Sequence, residues 1–363
     1  MKIQKLARSR HWLRLWVLST MTMMGGIACQ NSVYQPSNNQ VSDTASDRAN
    51  CRTIHHEMGE TEVCGQPQRI VVFGPAHLES LLVLDVYPVG YVAHINFLLG
   101  DYTNPAQQIP YLGDRVASLT EHHVNQPIAN MGSIFQPSIE AILQMKPDLI
   151  IGTEFDKTVY DTLSQIAPTL LLDYYNPEDN LRAIAQAVDR PEKVEQLLKQ
   201  TQQQIAAARE AFAPLVATHP RALLLSGSQL QTMSLGGTDV CGSLVEELGF
   251  QLVLPPGMEN NNPDTEVPIS LEILSELNDV DLILVLGYNF SDFQAFDNPD
   301  QLEEHQLSSI KQAWEENPIA QSLEASKAGQ VYFLQDYLCI SLPGPIGTEL
   351  YLEELQEKLL API

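Results

Sequence analysis

The chain of 363 residues is poor in basic residues, in cysteine and in aromatic side chains. It has 20 Lys and Arg against 45 Asp and Glu, and its formal net charge is −25 at pH 7. Such a surface repels nucleic acid and anionic lipid headgroups, so neither is expected as a partner. The sequence also lacks a Gly-x-Ser-x-Gly elbow, a phosphate-binding loop, and Gly-x-Gly-x-x-Gly and Cys-x-x-Cys motifs. These absences favour a binding protein over an enzyme.

Residues 1–28 combine five basic residues and no acid with the apolar stretch WVLSTMTMMGGIA. This stretch is too short to span a bilayer comfortably and ends in small residues, which is typical of an export signal. Gly26-Ile27-Ala28-Cys29 resembles a bacterial lipobox, in which the cysteine is lipid-modified and becomes the mature N-terminus. Gly26 stands where that pattern prefers Leu, so an ordinary secretory cleavage near Ala28 is the alternative. Removal of residues 1–28 would leave 45 acidic and 15 basic residues, a net charge of −30.

The rest of the chain is predicted to form a tether, two lobes and a connecting helix. Residues 29–50 are polar and without period, which predicts a flexible tether after Cys29. From Pro191 to Phe212, apolar residues recur on one helical face over about 22 residues, a rod of roughly 33 Å. Pro214 is predicted to end this helix. We therefore expect an N-terminal lobe at 51–185, the connecting helix at 186–214 and a C-terminal lobe at 215–363.

One pattern occurs twice in the sequence. Ser138–Gly152 reads SIEAILQMKPDLIIG, and Ser270–Gly287 reads SLEILSELNDVDLILVLG. Each copy predicts a short amphipathic helix, N-capped by its serine, and then a strand buried on both faces. Glu140 and Glu272 fall in the first helical turn, where the helix dipole stabilises an exposed carboxylate. The repeat therefore predicts two α/β lobes with outward carboxylates at equivalent positions.

Several segments, taken in order, resemble one family: CRTIHHEMGETEVCGQPQRIVVF, PVGYV, QPSIEAILQMKPDLIIG and AGQVYFL. Over about residues 51–363 the chain resembles the periplasmic substrate-binding proteins of ABC importers for ferric siderophores. More narrowly, it resembles the ferric-dicitrate and ferrichrome-like binders, relatives of the cobalamin-binding protein. The resemblance implies a class III periplasmic binding protein, with two Rossmann-like α/β lobes joined by a single long helix. It also implies that a ferric siderophore is captured between the lobes and delivered to a dimeric permease with its ATPase, without catalysis.

The resemblance places the cargo site beyond the carboxyl ends of the strands. A ferric siderophore supplies all six iron ligands, so we expect an aromatic cleft without a metal ligand or cofactor of the protein's own. Arg115 is the candidate cation for an anionic siderophore, unless it pairs with Asp114 or Asp101. The hydroxamate binder of the family has an Arg where this chain has Ile134. The predicted ligand-binding residues are Tyr91, His94, Arg115, Phe155, Tyr160, Tyr288, Phe290 and Tyr337.

The resemblance assigns Glu140 and Glu272 to docking, one on top of each lobe, against arginines of the permease. Within the first repeat, the loop from Thr153 is expected to approach the cargo. Glu140 is expected at the opposite end of the same helix–strand unit. The protein is expected to act as an extracytoplasmic monomer, held at the cell membrane by its lipid anchor.

The cysteines and the identity of the cargo leave alternatives open. In an exported protein, Cys51 and Cys64 are expected to form a disulfide, with a metal clip involving His55 and His56 as the alternative. Cys241 and Cys339 either pair or remain buried thiols. A haem or cobalamin binder on the same scaffold is a second function. A direct metal-ion binder is a third, although the nine histidines form no His-rich loop.

Overall fold

The computed structural model describes residues 50–93, 101–120, 127–236, 239–254, 267–275, 277, 279–289 and 301–360. The predicted export signal, Cys29 and almost all of the tether lie outside these residues. His94 and Phe290 also lie outside them. Within the described chain, residues on both sides of the predicted connecting helix form α/β lobes.

The N-terminal lobe is built on a six-stranded sheet in the order β6-β5-β4-β3-β7-β8, parallel except for β6. The apolar runs that form its central strands are buried on both faces, as expected for a parallel sheet. The elements of this lobe are β1 (Cys51–His56), β2 (Gly59–Cys64), β3 (Ile70–Phe73), α1 (Gly74–Val83), β4 (Gly90–Ala93), α2 (Pro105–Gln108), α3 (Gly113–Thr120), β5 (Ala129–Ser133), β6 (Gln136–Pro137), α4 (Ile139–Met145), β7 (Leu149–Thr153), α5 (Tyr160–Leu163), β8 (Thr169–Leu172) and α6 (Pro177–Ala187).

A long helix, α7 (Val194–Thr218), joins the lobes after a 3-10 turn at Pro191–Lys193. Its 25 residues correspond to about 37 Å at the standard rise. The buried residues Val194, Ile205, Ala208 and Phe212 lie on the predicted face. The predicted end at Pro214 was wrong, because the helix contains this proline and continues to Thr218. Proline removes one helical N–H donor, and here the surrounding turns tolerate that loss.

The C-terminal lobe has a sheet in the order β12-β10-β9-β13-β14, with β11 also paired to β9. The strands β9, β13 and β14 are parallel, and β10 and β12 add antiparallel pairs. The elements of this lobe are β9 (Arg221–Gly227), β10 (Ser234–Leu235), α8 (Val240–Glu247), β11 (Gln251–Leu252), β12 (Val267–Pro268), α9 (Leu271–Leu274), β13 (Leu282–Gly287), α10 (Leu302–Glu316), α11 (Pro318–Ser322), α12 (Glu324–Lys327), β14 (Val331–Gln335) and α13 (Pro345–Leu360).

One buried apolar cluster runs through both lobes on the α7 side of the sheets. It contains Val72 and Leu78 of the first lobe, Phe212 of α7, and Leu224 and Tyr351 of the second lobe. The opposite faces of the two sheets carry separate clusters. Because close-packed interiors resist deformation, the shared cluster holds the lobes together on the α7 side.

The repeated pattern forms a capped helix and a strand in each lobe. The hydroxyl of Ser138 accepts a hydrogen bond from the Ala141 N–H at 3.3 Å, and that of Ser270 accepts one from the Ile273 N–H at 3.4 Å. The aspartate that precedes the strand makes an equivalent hydrogen bond in each lobe. Asp148 accepts from the Arg69 N–H, and Asp281 from the Arg221 N–H, each at 2.8 Å.

The direction of α4 corrects the expected position of Glu140. The Arg69 side chain, just before β3, donates to the carbonyl of Met145 at 2.8 Å, so α4 ends at the amino edge of the sheet. The first turn of α4 therefore lies toward the carboxyl ends of the strands. Glu140 and Thr153 share that edge, because a helix that leads into the next parallel strand runs antiparallel to it.

The N-terminal hairpin of β1 and β2 lies beside β8. The structure pairs Cys51 with Cys64 by a disulfide, and the Thr61 hydroxyl donates to the carbonyl of Thr169 at 3.1 Å. In the metal-clip alternative, His55 and His56 would be ligands. Instead, His55 lies 3.2 Å from the Glu60 carboxylate and His56 bonds the Thr61 hydroxyl at 2.8 Å.

The structure also pairs Cys241 with Cys339, which the sequence left open. Replacing both with Ser should lower the free energy of unfolding by about 5 kcal/mol, because the unfolded chain regains the freedom of a long loop. The two cysteines are 98 residues apart, against 13 for Cys51 and Cys64. Denaturant unfolding of the full chain measures the loss. The Cys51/Cys64 double Ser variant is the control and should lose less, about 3 kcal/mol; the reverse order would contradict the entropic account.

Candidate functional site

The carboxyl ends of the two sheets face each other across three groups of hydrogen bonds. The hydroxyl of Tyr111 donates to the side-chain oxygen of Gln335, and that of Tyr174 donates to the carbonyl of Ile340, both at 2.5 Å. Glu79, in α1, accepts from backbone N–H groups at the start of α13. We call the opposed carboxyl edges and their loops the inter-lobe face. A ligand held by both lobes would bind there.

Glu79 is a fully buried carboxylate that links the lobes. It accepts from the Gly344 N–H at 2.9 Å and the Gly347 N–H at 2.8 Å. Burial raises the pKa of Glu79 to about 7, and the two N–H groups oppose that rise. A Cβ at Gly344 would lie 2.8 Å from the Glu79 carboxyl group, and one at Gly347 would lie 1.6 Å from the carbonyl of Leu342. A side chain at Gly344 would therefore displace Glu79, and one at Gly347 would disrupt the start of α13.

A second buried carboxylate supports the contact made by Tyr111. Glu354, in α13, accepts from the Gln335 N–H at 3.2 Å and also receives its side-chain amide. Gln335 is thereby oriented to accept the Tyr111 hydroxyl. Burial raises the pKa of Glu354 to about 7 and also raises the pKa of Tyr111. The ring centre of the buried Tyr337 lies 5.9 Å from that of Tyr111, so the two rings pack together.

Aromatic side chains follow the strands β7 and β8 at the inter-lobe face. Phe155 is 63% exposed, and its ring lies 5.6 Å from that of Tyr174, which lies 5.7 Å from Tyr175. A capping box explains the position of Phe155. Thr153 begins the 3-10 helix Glu154–Val159, and Asp156 accepts from the Thr153 N–H at 2.9 Å. Phe135, 77% exposed, lies in the tight turn between β5 and β6 at the same edge.

The predicted ligand-binding residues do not all lie at this face. Phe155 lies at it, and Tyr288 follows the carboxyl end of β13, partly buried. Tyr337 follows β14 but is only 2% exposed, packed against Tyr111, which corrects its prediction as a ligand contact. Tyr91 is only 3% exposed, within β4 and 5.5 Å from Tyr102, which corrects its prediction as a ligand contact. Tyr160 packs against His56 of the hairpin, with ring centres 5.8 Å apart.

Arg115 lies in a separate groove that α3 forms with α7 and α13. Its neighbours in this groove include Gln204 and Glu349, and its charge lowers the pKa of Glu79. The structure thus places this predicted cation apart from Phe155 and Tyr175.

Sequence reasoning missed Tyr111, Phe135, Tyr174 and Tyr175. Tyr174 and Tyr175 follow the buried strand β8 directly, so the rule that found Phe155 after β7 could have found them. Phe135 follows β5 in the same way. Tyr111 lies within the connection between β4 and β5, where no local pattern marks it.

A cavity of about 570 Å³ adjoins the inter-lobe face on the α7 side. It lies between α6, α7, α8 and the start of α13, and Tyr175 is part of its wall. Its wall also contains four acidic residues: Asp173, Glu178, Asp239 and Glu247. Burial raises the pKa of Asp239, which nevertheless accepts from the Gly242 N–H at 2.7 Å and caps α8.

Two α/β lobes with a site between their carboxyl edges, joined by one helix, define a bilobal solute-binding protein. The family model described as "Periplasmic binding protein" matches residues 103–338, and the chain belongs to this family. The sequence prediction of the family and of its fold is thereby confirmed. Within the described residues, no helix has both the length and the apolar character needed to cross a bilayer.

Relatives match most of the chain. The Fe(3+)-citrate-binding protein YfmC of Bacillus subtilis (strain 168) is 26% identical over 294 residues, 79% of this chain and 79% of the relative. The Fe(3+) dicitrate-binding periplasmic protein FecB of Escherichia coli (strain K12) is 26% identical over 286 residues, 77% and 80% of the two chains. The structure of Staphylococcus aureus SirA complexed with staphyloferrin B is similar with a TM-score of 0.61 at 22% identity, over 85% of this chain and 98% of SirA.

Replacing Glu79 with Gln should remove a pH dependence of stability. The pKa of about 7 in the folded protein lies above the ordinary 4.5, so the folded protein keeps a proton that the unfolded chain releases. The free energy of unfolding of the native chain, relative to Glu79→Gln, should fall by about 3 kcal/mol as the pH rises from about 4.5 to about 7. Urea unfolding at several pH values measures this difference.

The comparison of the native chain with Glu79→Gln also excludes a contribution from His77, a buried neighbour of Glu79 in α1. Burial lowers the pKa of His77 to about 4, which gives the opposite slope between pH 4 and 6.5. Both proteins contain His77, so its contribution cancels in the difference. Glu192→Gln, at an exposed site, is the matched control and should show no pH-dependent difference. A difference that rises with pH for Glu79→Gln would contradict the assignment.

Proposed function

We propose that the chain is the extracytoplasmic substrate-binding component of an ABC importer, which captures a ferric siderophore between its lobes and delivers it to the membrane permease. The observation that carries the proposal is the group of aromatic side chains at the inter-lobe face. Phe155, Tyr174 and Tyr175 pack against one another after β7 and β8, and Tyr174 reaches the second lobe through its hydrogen bond to Ile340. Relatives in the same family are named for Fe(3+)-citrate, which supports iron as the transported metal.

In this proposal the iron arrives with its own ligands, and the protein recognises the complex. Aromatic faces suit the organic shell of such a complex, and a few hydrogen-bonding groups orient it. Among the described residues, the only group of metal-ligating side chains within reach of one another is Cys51, Glu62 and Cys64. Its two cysteines are bonded to each other, so it offers no support for direct metal capture. The protein's role is binding, and no chemical step is proposed.

Lipidation of Cys29 and a tether at residues 29–50 complete the proposal. The lipobox-like sequence before Cys29 supports the anchor. A polar tether of this length would let the lobes reach the permease without entering the bilayer. The protein would act as a monomer at the extracytoplasmic face of the cell membrane.

Glu140 and Glu272 are proposed to dock the protein on the permease dimer. Both carboxylates are exposed, in the first turns of α4 and α9. Hydrogen bonds from its own N–H and from the Ser270 hydroxyl lower the pKa of Glu272, which keeps it ionised. Two charges on one rigid body set orientation and register against partner arginines.

Phe155→Ala and Tyr175→Ala should each weaken siderophore binding by about tenfold, because each removes an aromatic contact with the cargo. Calorimetric titration of the full chain in detergent would measure affinity for ferric hydroxamate, catecholate and citrate complexes. Met58→Ala, at an exposed apolar site on the hairpin, is the control and should bind normally. Binding of haemin, cobalamin or bare Fe³⁺ in place of every siderophore complex would overturn the proposed function.

The double variant Glu140→Ala with Glu272→Ala should bind cargo normally but fail to stimulate transport. The double variant removes the two carboxylates that are proposed to contact the permease and leaves the cargo site unchanged. Uptake of iron-loaded siderophore by proteoliposomes containing the permease and its ATPase would be measured. Glu192→Ala with Glu315→Ala changes the net charge equally at other exposed sites and should transport at the native rate. Native transport by the docking variant would contradict this role.

A further inference from the structure

Among the described residues, no Lys or Arg side chain lines the cavity at the inter-lobe face. After residue 50, every segment that the structure does not describe is free of Lys and Arg in the sequence. Those segments are 94–100, 121–126, 237–238, 255–266, 276, 278, 290–300 and 361–363. Every Lys and Arg beyond residue 50 therefore belongs to the described part of the chain and can be located.

Most of these basic residues lie far from the carboxyl edges. Arg69, Lys146 and Arg221 lie at the amino edges of the sheets, where α4 ends and β3 and β9 begin. Arg182, in α6, is held by Glu178, Asp179 and Glu195. The others are on the hairpin, after α6 or on outer helices: Arg52, Arg190, Lys193, Lys199, Arg209, Lys311, Lys327 and Lys358.

Two basic residues come closer, and both are directed elsewhere. Lys157 follows β7, but its ammonium lies 3.4 Å from Glu57 of the hairpin beside β8. Arg115 lies in the groove against α7 and α13, with Glu349. Neither lines the cavity that adjoins the inter-lobe face.

Helix N-termini are the other common source of positive potential, and three of them near this face are occupied by the chain's own carboxylates, whereas that of α1 has no side-chain cap. Glu79 accepts from the first amides of α13, and Asp239 from those of α8. Asp156 accepts from the Thr153 N–H at the 3-10 helix that carries Phe155. An anion that approached these helices would meet a carboxylate in place of free N–H groups.

Further acids surround the aromatic residues. Glu154 accepts from the Tyr174 N–H at 2.9 Å, and burial together with Asp173 and Glu57 raises its pKa. The cavity wall adds Asp173 and Glu247, together with Glu178, which is paired with Arg182 at 3.4 Å. Removing an anionic ligand from water costs free energy that only opposite charge or donated hydrogen bonds can return. The local charges at this face have the wrong sign to do so.

We propose that the cargo is a ferric siderophore complex without net negative charge, of the hydroxamate type. This inference rests on the proposed function. Three hydroxamate groups neutralise Fe³⁺, and an added ammonium group makes the complex cationic. Catecholate and citrate complexes remain anionic and would be repelled. The chain would thereby differ in cargo charge from the relatives named for Fe(3+)-citrate.

The test titrates the full chain in detergent with four ferric complexes at pH 7.5. The probes are neutral ferrichrome, cationic ferrioxamine B, a ferric tris-catecholate and ferric dicitrate. The hydroxamate complexes should bind saturably, and both anionic complexes at least about 100-fold more weakly. An anionic complex that binds as tightly as ferrichrome would overturn this inference and leave the proposed function standing. Failure of all four complexes to bind would overturn both.

A local charge reversal provides the second test. Phe155→Arg, compared with Phe155→Ala, should raise the ratio of anionic to hydroxamate affinity by about tenfold or more. Met58→Arg, compared with Met58→Ala, adds the same charge on the hairpin and should leave the ratio unchanged. An unchanged ratio at Phe155, or an equal rise at both sites, would contradict local charge as the basis of selection.

Discussion

The buried carboxylate of Glu79, shared between the lobes, is the contact on which the geometry of the inter-lobe face depends. It joins α1 of one lobe to the N-terminus of α13 in the other, and the absence of a side chain at Gly344 leaves space for it. Burial favours the protonated form, whereas two backbone donors favour the ionised form. Together with the core shared through α7, this contact brings the two carboxyl edges into opposition.

The same use of acidic side chains recurs around the face. Glu79, Asp156 and Asp239 each accept from backbone N–H groups at the start of a helix, and Glu354 orients Gln335 toward Tyr111. These acids complete the structure and also cancel the positive ends of helices. In our proposals, acidity inside the face and acidity on the outer surface have different consequences: the first selects cargo by charge, and the second is available for docking. Because α4 begins at the carboxyl edge, Glu140 lies on the cargo side of its lobe, so cargo release and docking can occur at one surface.

Much of the fold was predictable because it follows from local apolar patterns. Buried runs such as Leu149–Thr153 and Leu282–Gly287 identify parallel strands, and the spacing from Val194 to Phe212 identifies α7. The site was harder, because a residue near a strand end changes its environment with a shift of one position. Tyr91 lies inside β4 and belongs to the core, whereas Tyr174 lies just beyond β8 and reaches the other lobe. The groove of Arg115 depends on how α3 packs against α7, and no pattern within α3 contains that information.

A face without Lys or Arg has to recognise its cargo by shape, by aromatic contact and by hydrogen bonding. The composition of the segments beyond the described residues is consistent with this demand. Four of the ten Phe residues, Phe97, Phe290, Phe293 and Phe296, fall in 94–100 and 290–300, which contain no basic residue. Apolar contacts are non-directional and weakly discriminating, so discrimination has to come from what is excluded. In the mechanism we propose, repulsion by Asp and Glu performs that exclusion against anionic chelates, which leaves the aromatic residues free to bind neutral or cationic complexes of suitable size.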